Sequence, residues 1–356
     1  MKHLLPADIA AIPVHGRALP LRAGTRGSPL ALVQTRAFVA MLAEACPALE
    51  QMKAFEEVVI RTTGDIVQDR KLADIGGKGL FAKEIHEQLL AGDIDFAVHS
   101  LKDLDTELPR GVAIACFLPR EDPRDCLILG PGCRPQADGD PLSVLPEGAI
   151  IGTSSVRRQA QLMHRRPDLR PVTIRGNVQT RLAKIASGEC HASLLALAGL
   201  RRLGLCHHAD IILDPADMLP ASGQGIVAVT VRADDRDLLR LFDAMSDPAA
   251  KAAAIAERAL LATLDGSCHT PIGAHATLRP DGALHLIGMV ARPDGSFLCR
   301  RTMTGPAHQA ELLGADLGDA LRAECPPDLL REFLDATGRA LAGASQIGRS
   351  APVCPA

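Results

Sequence analysis

Asp95-Phe96-Ala97-Val98-His99-Ser100-Leu101-Lys102-Asp103 is an apolar run that gives way within a few residues to two opposite charges. Residues 94–98 follow the polar turn Ala91-Gly92-Asp93 and predict a short buried strand. In an open α/β sheet, ligands sit beyond the carboxyl ends of the strands. Asp103 is therefore a candidate for chemistry, although an Asp at such a place, taken alone, is read first as a turn cap. The rest of the chain shifts that balance. Arginines and hydroxyl residues recur at similar strand-to-helix junctions: Arg26-Gly27-Ser28, Thr153-Ser154-Ser155-Val156-Arg157-Arg158 and Arg175-Gly176-Asn177. One carboxylate facing many cationic donors suits a polyanionic substrate on which a single positive charge forms during reaction.

The length of 356 residues suggests two or three domains. The chain is 47% hydrophobic, enough for substantial cores, but only 2% aromatic, with neither Trp nor Tyr. Leu, Ile, Val and Ala must fill the interior, and the composition argues against the aromatic platforms used on single-stranded nucleic acid. A net charge of -3 provides no global field toward nucleic acid or a membrane surface, so any anion site must be a local arginine cluster. The ten Cys form no C-x-x-C pair and no metal-type spacing with His, and no metal is expected. Residues 1–20 lack an uninterrupted apolar segment, and no later stretch is long enough to span a membrane. The expectation is a cytoplasmic protein with reduced thiols.

Taken in order, residues 1–20 read as a loose extension punctuated by Pro6, Pro13, Gly16 and Pro20. A strand beginning at Leu21 leads to Ser28-Pro29, the cap and first residue of a helix to about Ala45, where free backbone N–H groups, Ser28 and Arg26 make a ready anion site. After a strand at 57–61, the charged connection 62–78, which contains Asp65 and Lys78, has the length of a lid. A helix over 80–90 precedes the central strand, and a further strand spans 112–117. Residues 121–125 read as a hinge, 126–129 as a strand and 130–146 as a surface insertion. The strand at 149–152 ends where Thr153, Ser154 and Ser155 can cap a helix carrying Arg157 and Arg158. The strand at 172–174 leads to Arg175-Gly176 and a helix with Arg181, and the strand at 192–196 leads toward Arg202. This alternation implies parallel sheets with right-handed crossovers. A Gly-rich crossing at 219–225 and a strand at 226–231 suggest a return into the first unit, giving two lobes joined by two hinge strands. An Ala-rich helix from Asp247 to about Leu264, a tight loop containing Cys268, alternating segments near 274–278, 284–291 and 297–304, and helices near 307–323 and 327–343 form a third unit. The resulting organisation is an extension at 1–20, a first domain of 21–120 with 225–245, a second of 121–224, a third of 246–345 and a tail at 346–356.

Several of these stretches are specific. Thr25-Arg26-Gly27-Ser28-Pro29-Leu30-Ala31, Gly76-Gly77-Lys78-Gly79-Leu80-Phe81, Ala97 to Asp103, Arg120 to Asp125, Gly152 to Arg158, Arg175 to Leu182, Gly223-Gln224-Gly225, and Cys268 with Pro271-Ile272-Gly273 occur in this order. Together they resemble the porphobilinogen deaminase (hydroxymethylbilane synthase) family from about residue 21 to 345. The resemblance implies an α/β fold with two periplasmic-binding-protein-like lobes of mixed, mainly parallel sheets and a small C-terminal α+β domain. It also implies a transferase of tetrapyrrole biosynthesis that joins four porphobilinogen molecules head to tail, with loss of ammonia, to give 1-hydroxymethylbilane. The implied primer is a dipyrromethane cofactor attached through a thioether to Cys268. No metal is implied, the expected partner is the small molecule porphobilinogen, and the expected state is a monomer.

Carried over residue by residue, the resemblance implies that Asp103 is catalytic. Lys102, Asp103, Thr153, Ser154, Ser155, Arg157, Arg158, Arg175 and Gly176 would hold the cofactor. Arg26, Ser28, Arg175, Arg181 and Arg202 would hold substrate acids, with Asp65 and Lys78 in the lid. The chemistry agrees: loss of ammonia leaves an azafulvenium cation for Asp103 to stabilise, and arginine binds carboxylates bidentately while staying charged. The chain departs from the usual pattern at Asp74, often Lys in relatives, at Asp105, which adds a second acid near Asp103, and at Ser267-Cys268-His269-Thr270 around the cofactor position. A different class is compatible with the lobes and helix starts alone: a non-catalytic, two-lobed anion-binding protein. It would have no use for Cys268 or a third domain.

Overall fold

The computed structural model describes residues 19–45, 47–66, 79–134, 139–266, 270–329 and 331–333. The expected features at residues 1–18, the lid residues Asp74 and Lys78, Cys268, the end of the helix near 327–343 and the tail lie outside these. The Val-, Ile- and Ala-rich runs become strands as their composition dictates. The first sheet comprises β1 (Leu21–Arg26), β2 (Phe55–Ile60), β3 (Phe96–Ser100), β4 (Val112–Phe117) and β10 (Val227–Arg232) in the order β2-β1-β3-β10-β4. The second comprises β5 (Asp125–Leu129), β6 (Ile150–Gly152), β7 (Arg170–Val172), β8 (Ala192–Ala196) and β9 (Ile211–Ile212) in the order β7-β6-β8-β5-β9. In the first sheet β1 runs parallel to β2 and β3, whereas β10 runs antiparallel to β3 and β4. In the second, β6 runs parallel to β7 and β8, whereas β5 runs antiparallel to β8 and β9. Both sheets are thus mixed, and the parallel share is smaller than strand–helix alternation alone predicts. The antiparallel pairs arise where the chain crosses between lobes: β5 receives it from β4, and β10 brings it back.

The two crossings touch backbone to backbone. Glu121 N–H donates to Gly225 O at 3.0 Å, and a Cβ on Gly225 would lie 2.2 Å from Glu121 O. Gly225 also has φ +89°, so only glycine fits there without strain.

Helices cover the sheets: α1 (Pro29–Ala45), α2 (Pro47–Gln51), the short α3 (Thr63–Ile66), α4 (Lys83–Ala91), α5 (Val156–Arg165), α6 (Val178–Ala186), α7 (Leu197–Arg202) and α8 (Arg236–Asp243). The third unit packs α9 (Pro248–Thr263) and α10 (Ala310–Glu324) on the antiparallel sheet β11 (Ile272–Leu278), β12 (Ala283–Ala291) and β13 (Leu298–Pro306). Its alanines let the two helices approach closely: a Cβ on Gly314 of α10 would meet Ala256 O of α9 at 2.2 Å. In the first lobe Phe38, Phe96 and Phe242 meet edge to face, with ring centroids 5.1–5.6 Å apart, and form the aromatic centre of a core otherwise built of Leu, Val and Ala.

The units are joined at Glu257 of α9, whose carboxylate is fully buried. It pairs with Arg120 on one crossing and accepts N–H bonds from Gly223 on the other crossing, at 2.6 Å, and from Ala276 of β11, at 2.7 Å.

Behind the central strand, His99 Nε2 lies 3.0 Å from Thr230 Oγ1, and its ring is 5.5 Å from that of His86 on α4. Burial pulls His86 down to about 4, and burial, then His86 and Arg26, pull His99 down to about 3. The folded values lie below the unfolded value of roughly 6.5, so the unfolded chain binds protons first as pH falls. The contribution of this pair to stability is therefore complete above about pH 6.5 and is lost progressively below it, by up to about 1.4 kcal/mol per pH unit for each ring. The denaturant midpoint followed by circular dichroism should fall between pH 6.5 and 4. In His99→Gln, which keeps a partner for Thr230, the fall should be shallower.

Candidate active site

β3 ends at Ser100, and the chain closes one tight turn over Leu101–Asp103 before moving off. That turn places Lys102 and Asp103 at the meeting point of two cavities. The larger, 740 Å³, runs from the start of α1 past Asp103 to Arg175, Arg181 and Arg202. The smaller, 310 Å³, is lined by Lys102, Asp103, Ser154, Arg157 and Arg158, and by Gly266 and Thr270, which flank the undescribed Cys268. Lys102, Asp103, Arg158 and Arg181 line both. Among the described residues no hydrogen bond or ion pair occupies the Asp103 carboxylate; it lies in the combined field of Lys102 and Arg181. Burial pulls the Lys102 ammonium down to about 8 while Asp103 holds it up, so it stays mainly charged at neutral pH. Burial, with Arg158 beside it, lowers Arg181 to about 10 against the opposing pull of Asp103, and that guanidinium remains a cation.

Arg157 and Arg158 are reached through α5, whose N-cap Ser155 accepts the Arg158 N–H. Both side chains turn inward and are 4% and 6% exposed. They share one carboxylate, Asp125 at the start of β5: Arg157 Nη2 donates to its Oδ2 and Arg158 Nη2 to its Oδ1, each at 2.8 Å. Burial pushes the Asp125 carboxyl up, and the two guanidinium groups outweigh it, holding it well below the usual carboxylate range. The remaining donors reach Leu219 O from Arg157 and Leu194 O from Arg158, but the buried Nε of each has no partner among the described residues. Asp125 also accepts from Gln224 Nε2 at 2.8 Å, and Gln224 Oε1 accepts from Lys102 at 3.3 Å. Gln224 therefore links the Asp103 turn of one lobe to the paired arginines of the other.

The other expected residues divide into those facing the cleft and those beneath it. Ser28, Arg175, Gly176 and Arg202 line the larger cavity, and Ser154 and Ser155 the smaller. Thr153 lines neither: it is buried, and its hydroxyl accepts the Ser155 N–H at 3.1 Å, shaping the entry to α5. Ser28 Oγ accepts from Ala31 N–H at 3.3 Å, so it caps α1 as well as facing the cleft. Gly176 takes φ +115°, and its carbonyl accepts Arg181 Nε at 3.0 Å, which fixes that side chain. Arg202 donates to Gly225 O at 2.7 Å. Arg26 pairs with Asp65 of α3 and stacks 4.2 Å over the Phe81 ring. The second acid, Asp105, lines the smaller cavity, but its Oδ1 accepts the Gly79 N–H at 2.9 Å.

Two residues of this site were given no role by the sequence reading: Asp125, placed in a hinge, and Gln224, part of a Gly-rich crossing. For Asp125 the sequence signals are its place at the head of an apolar strand and its membership of the stretch Arg120 to Asp125. Replacing it removes the sole counter-charge of two buried cations seen among the described residues. Asp125→Asn should cost about 3–5 kcal/mol in a denaturant titration, the range for breaking a buried ion pair by removing one partner. A loss below 1 kcal/mol would mean that the arginines do not depend on it.

Comparison with known proteins follows the same outline. Residues 21–240 match a family described as porphobilinogen deaminase, dipyromethane cofactor binding domain, and residues 251–323 match porphobilinogen deaminase, C-terminal domain. The chain is 48% identical over 309 residues to the porphobilinogen deaminase of Paracoccus denitrificans, covering 87% of this chain and 96% of that one. It is 43% identical over 310 residues to the chloroplastic porphobilinogen deaminase of Oryza sativa subsp. japonica, covering 86% and 84%. Among solved structures, a periplasmic binding protein of Salmonella typhimurium aligns at 16% identity with a TM-score of 0.37, over 66% of this chain and 94% of that one. Two family matches that together reach from residue 21 to residue 323, with relatives this similar over most of their length, show that the chain belongs to the porphobilinogen deaminase family.

Proposed function

We propose that the cleft around Asp103 carries out the porphobilinogen deaminase reaction: head-to-tail condensation of four porphobilinogen molecules, each losing ammonia, and release of 1-hydroxymethylbilane by water. The observation that carries this reading is a carboxylate with no partner among the described residues, set where two arginine-lined cavities meet. Porphobilinogen brings carboxylates and an aminomethyl group. The arginines of the larger cavity take the acids, and the leaving of ammonia puts positive charge on the pyrrole beside Asp103. A unit charge pair at 4 Å is worth about 4 kcal/mol at an effective dielectric of 20. Expressed only in the transition state, that is roughly a thousandfold in rate. Lys102 and Arg181 place Asp103 in a positive field.

The dipyrromethane implied by the family fits the residues of the smaller cavity. The orphaned Nε groups of Arg157 and Arg158 are buried donors awaiting acceptors, and Ser154, Ser155 and Lys102 stand beside them. When bound, this group supplies the pyrrole carbon to which new rings are added. Arg157 and Arg158 have their Nη groups committed to Asp125 and to carbonyls, so they act as a rigid floor rather than as mobile clamps. Cys268 is the proposed attachment point, and its neighbours Gly266 and Thr270 lining the same cavity support it.

The division into domains of 21–120 with 225–245, 121–224 and 246–345 belongs to this proposal and is supported by the three separate sheets. The seven described cysteines are all free, as a reducing cytoplasm would leave them. Among the described residues no helix is long and apolar enough to cross a membrane.

Two measurements test the reading. Asp103→Asn should fold and carry cofactor but lose about a thousandfold in turnover, assayed as uroporphyrin after acid oxidation of the product; turnover within tenfold of the parent would exclude Asp103 as the main cation stabiliser. Intact mass of the purified protein should exceed the sequence mass by one dipyrromethane. Peptide mapping should place the adduct on Cys268, and Cys268→Ser should lack it.

A further inference from the structure

Within the larger cavity, Arg26 is already paired with a carboxylate of the protein itself, Asp65. Arg26 Nε donates to Asp65 Oδ2 at 3.2 Å and Nη2 donates to Oδ1, the two-pronged geometry that a guanidinium offers to any carboxylate. The two side chains are 21% and 28% exposed, and both line the cavity with Ser28, Phe81, Arg175 and Arg202.

Asp65 is braced in this position. Thr62 Oγ1 donates to its Oδ2 at 2.8 Å. Glu84 Oε1 accepts the Thr63 N–H at 3.0 Å, and Gly64 N–H donates to Leu80 O at 2.9 Å. A Cβ on Gly64 would lie 2.3 Å from the Phe81 ring, so α3 packs closely against that ring. Burial pushes the Asp65 carboxyl up, but Arg26 and Thr62 outweigh it and hold it below its ordinary value, so it is charged at neutral pH. A charged carboxylate thus occupies the donor edge of Arg26 that an incoming acid would use.

We propose that Asp65 sets the affinity of the larger cavity by serving as a built-in stand-in for a substrate carboxylate: it occupies Arg26 when substrate is absent and is displaced when a substrate acid arrives. This rests on reading Arg26 as a substrate-binding arginine. Binding there is an exchange of one carboxylate for another, so the net gain is a fraction of that offered by an open guanidinium. Release is eased to the same extent, because Asp65 takes the arginine back. The opposite role, in which Asp65 merely orients Arg26 toward substrate, predicts the reverse effect on affinity.

The test uses full-length, cofactor-loaded enzyme. Asp65→Asn keeps the shape of the side chain and removes its charge. The porphobilinogen concentration giving half-maximal rate should fall about three- to fivefold, the span of a partly exposed ion pair. In an Arg26→Leu background the same substitution should leave that concentration unchanged. Asp65→Ser should reproduce the shift without an amide to replace the carboxylate, and circular dichroism checks the fold of each variant. An unchanged or raised half-saturation concentration in both Asp65 variants overturns the proposal. If Arg26→Leu raises that concentration in the same series, only the stand-in role fails. If Arg26→Leu has no effect, the reading of Arg26 itself fails.

Discussion

One buried carboxylate is shared by two buried guanidinium groups, and much of the cleft depends on that arrangement. Asp125 opens the first strand of the second lobe, and Arg157 and Arg158 approach it from α5. Desolvating three charges is costly unless they satisfy one another and find further hydrogen bonds. Here carbonyl oxygens of Leu194 and Leu219 and the Gln224 amide complete most of the set. The arrangement leaves a net positive charge in the floor of the cleft and two Nε groups without acceptors among the described residues. A ligand rich in carboxylates supplies what the protein withholds.

The crossings gain a second function from the same geometry. Gln224 lies on one crossing and Asp125 directly follows the other, so the charge network passes through the segments that join the two sheets. Arg120 and Glu257 extend it to the third unit, because Glu257 binds both crossings and β11 at once. The Lys102–Asp103 turn, the arginine floor and the third unit are therefore tied to one another through the crossings.

The framework was readable because apolar runs ended in turn residues. The strands over 112–117 and 192–196 lie where alternation places them, and β3 delivers Asp103 to the cleft as its sequence implies. The ordered motifs did more, since they linked arginines that individually read as surface ion pairs. Asp125 was opaque for a physical reason: in Glu121-Asp122-Pro123-Arg124-Asp125 the charges alternate as they do on solvated turns. Its burial depends on partners 32 and 33 residues later. The Asp65 pairing was hidden in the same way, because Arg26 is 39 residues distant. Helix α8 passed unread: it spans only eight residues, half of them charged, and Asp235 as its cap became recognisable only once its side chain was seen to accept the Leu238 N–H.

The phenylalanine-centred core of the first lobe has an optical consequence. With neither Trp nor Tyr in the chain, the polypeptide is nearly transparent in the near ultraviolet, where most proteins absorb and fluoresce. Any strong band there belongs to what the cleft holds. Conjugated products formed when bound pyrroles are oxidised would thus be observed against a dark background, without a label and without subtracting the protein that holds them.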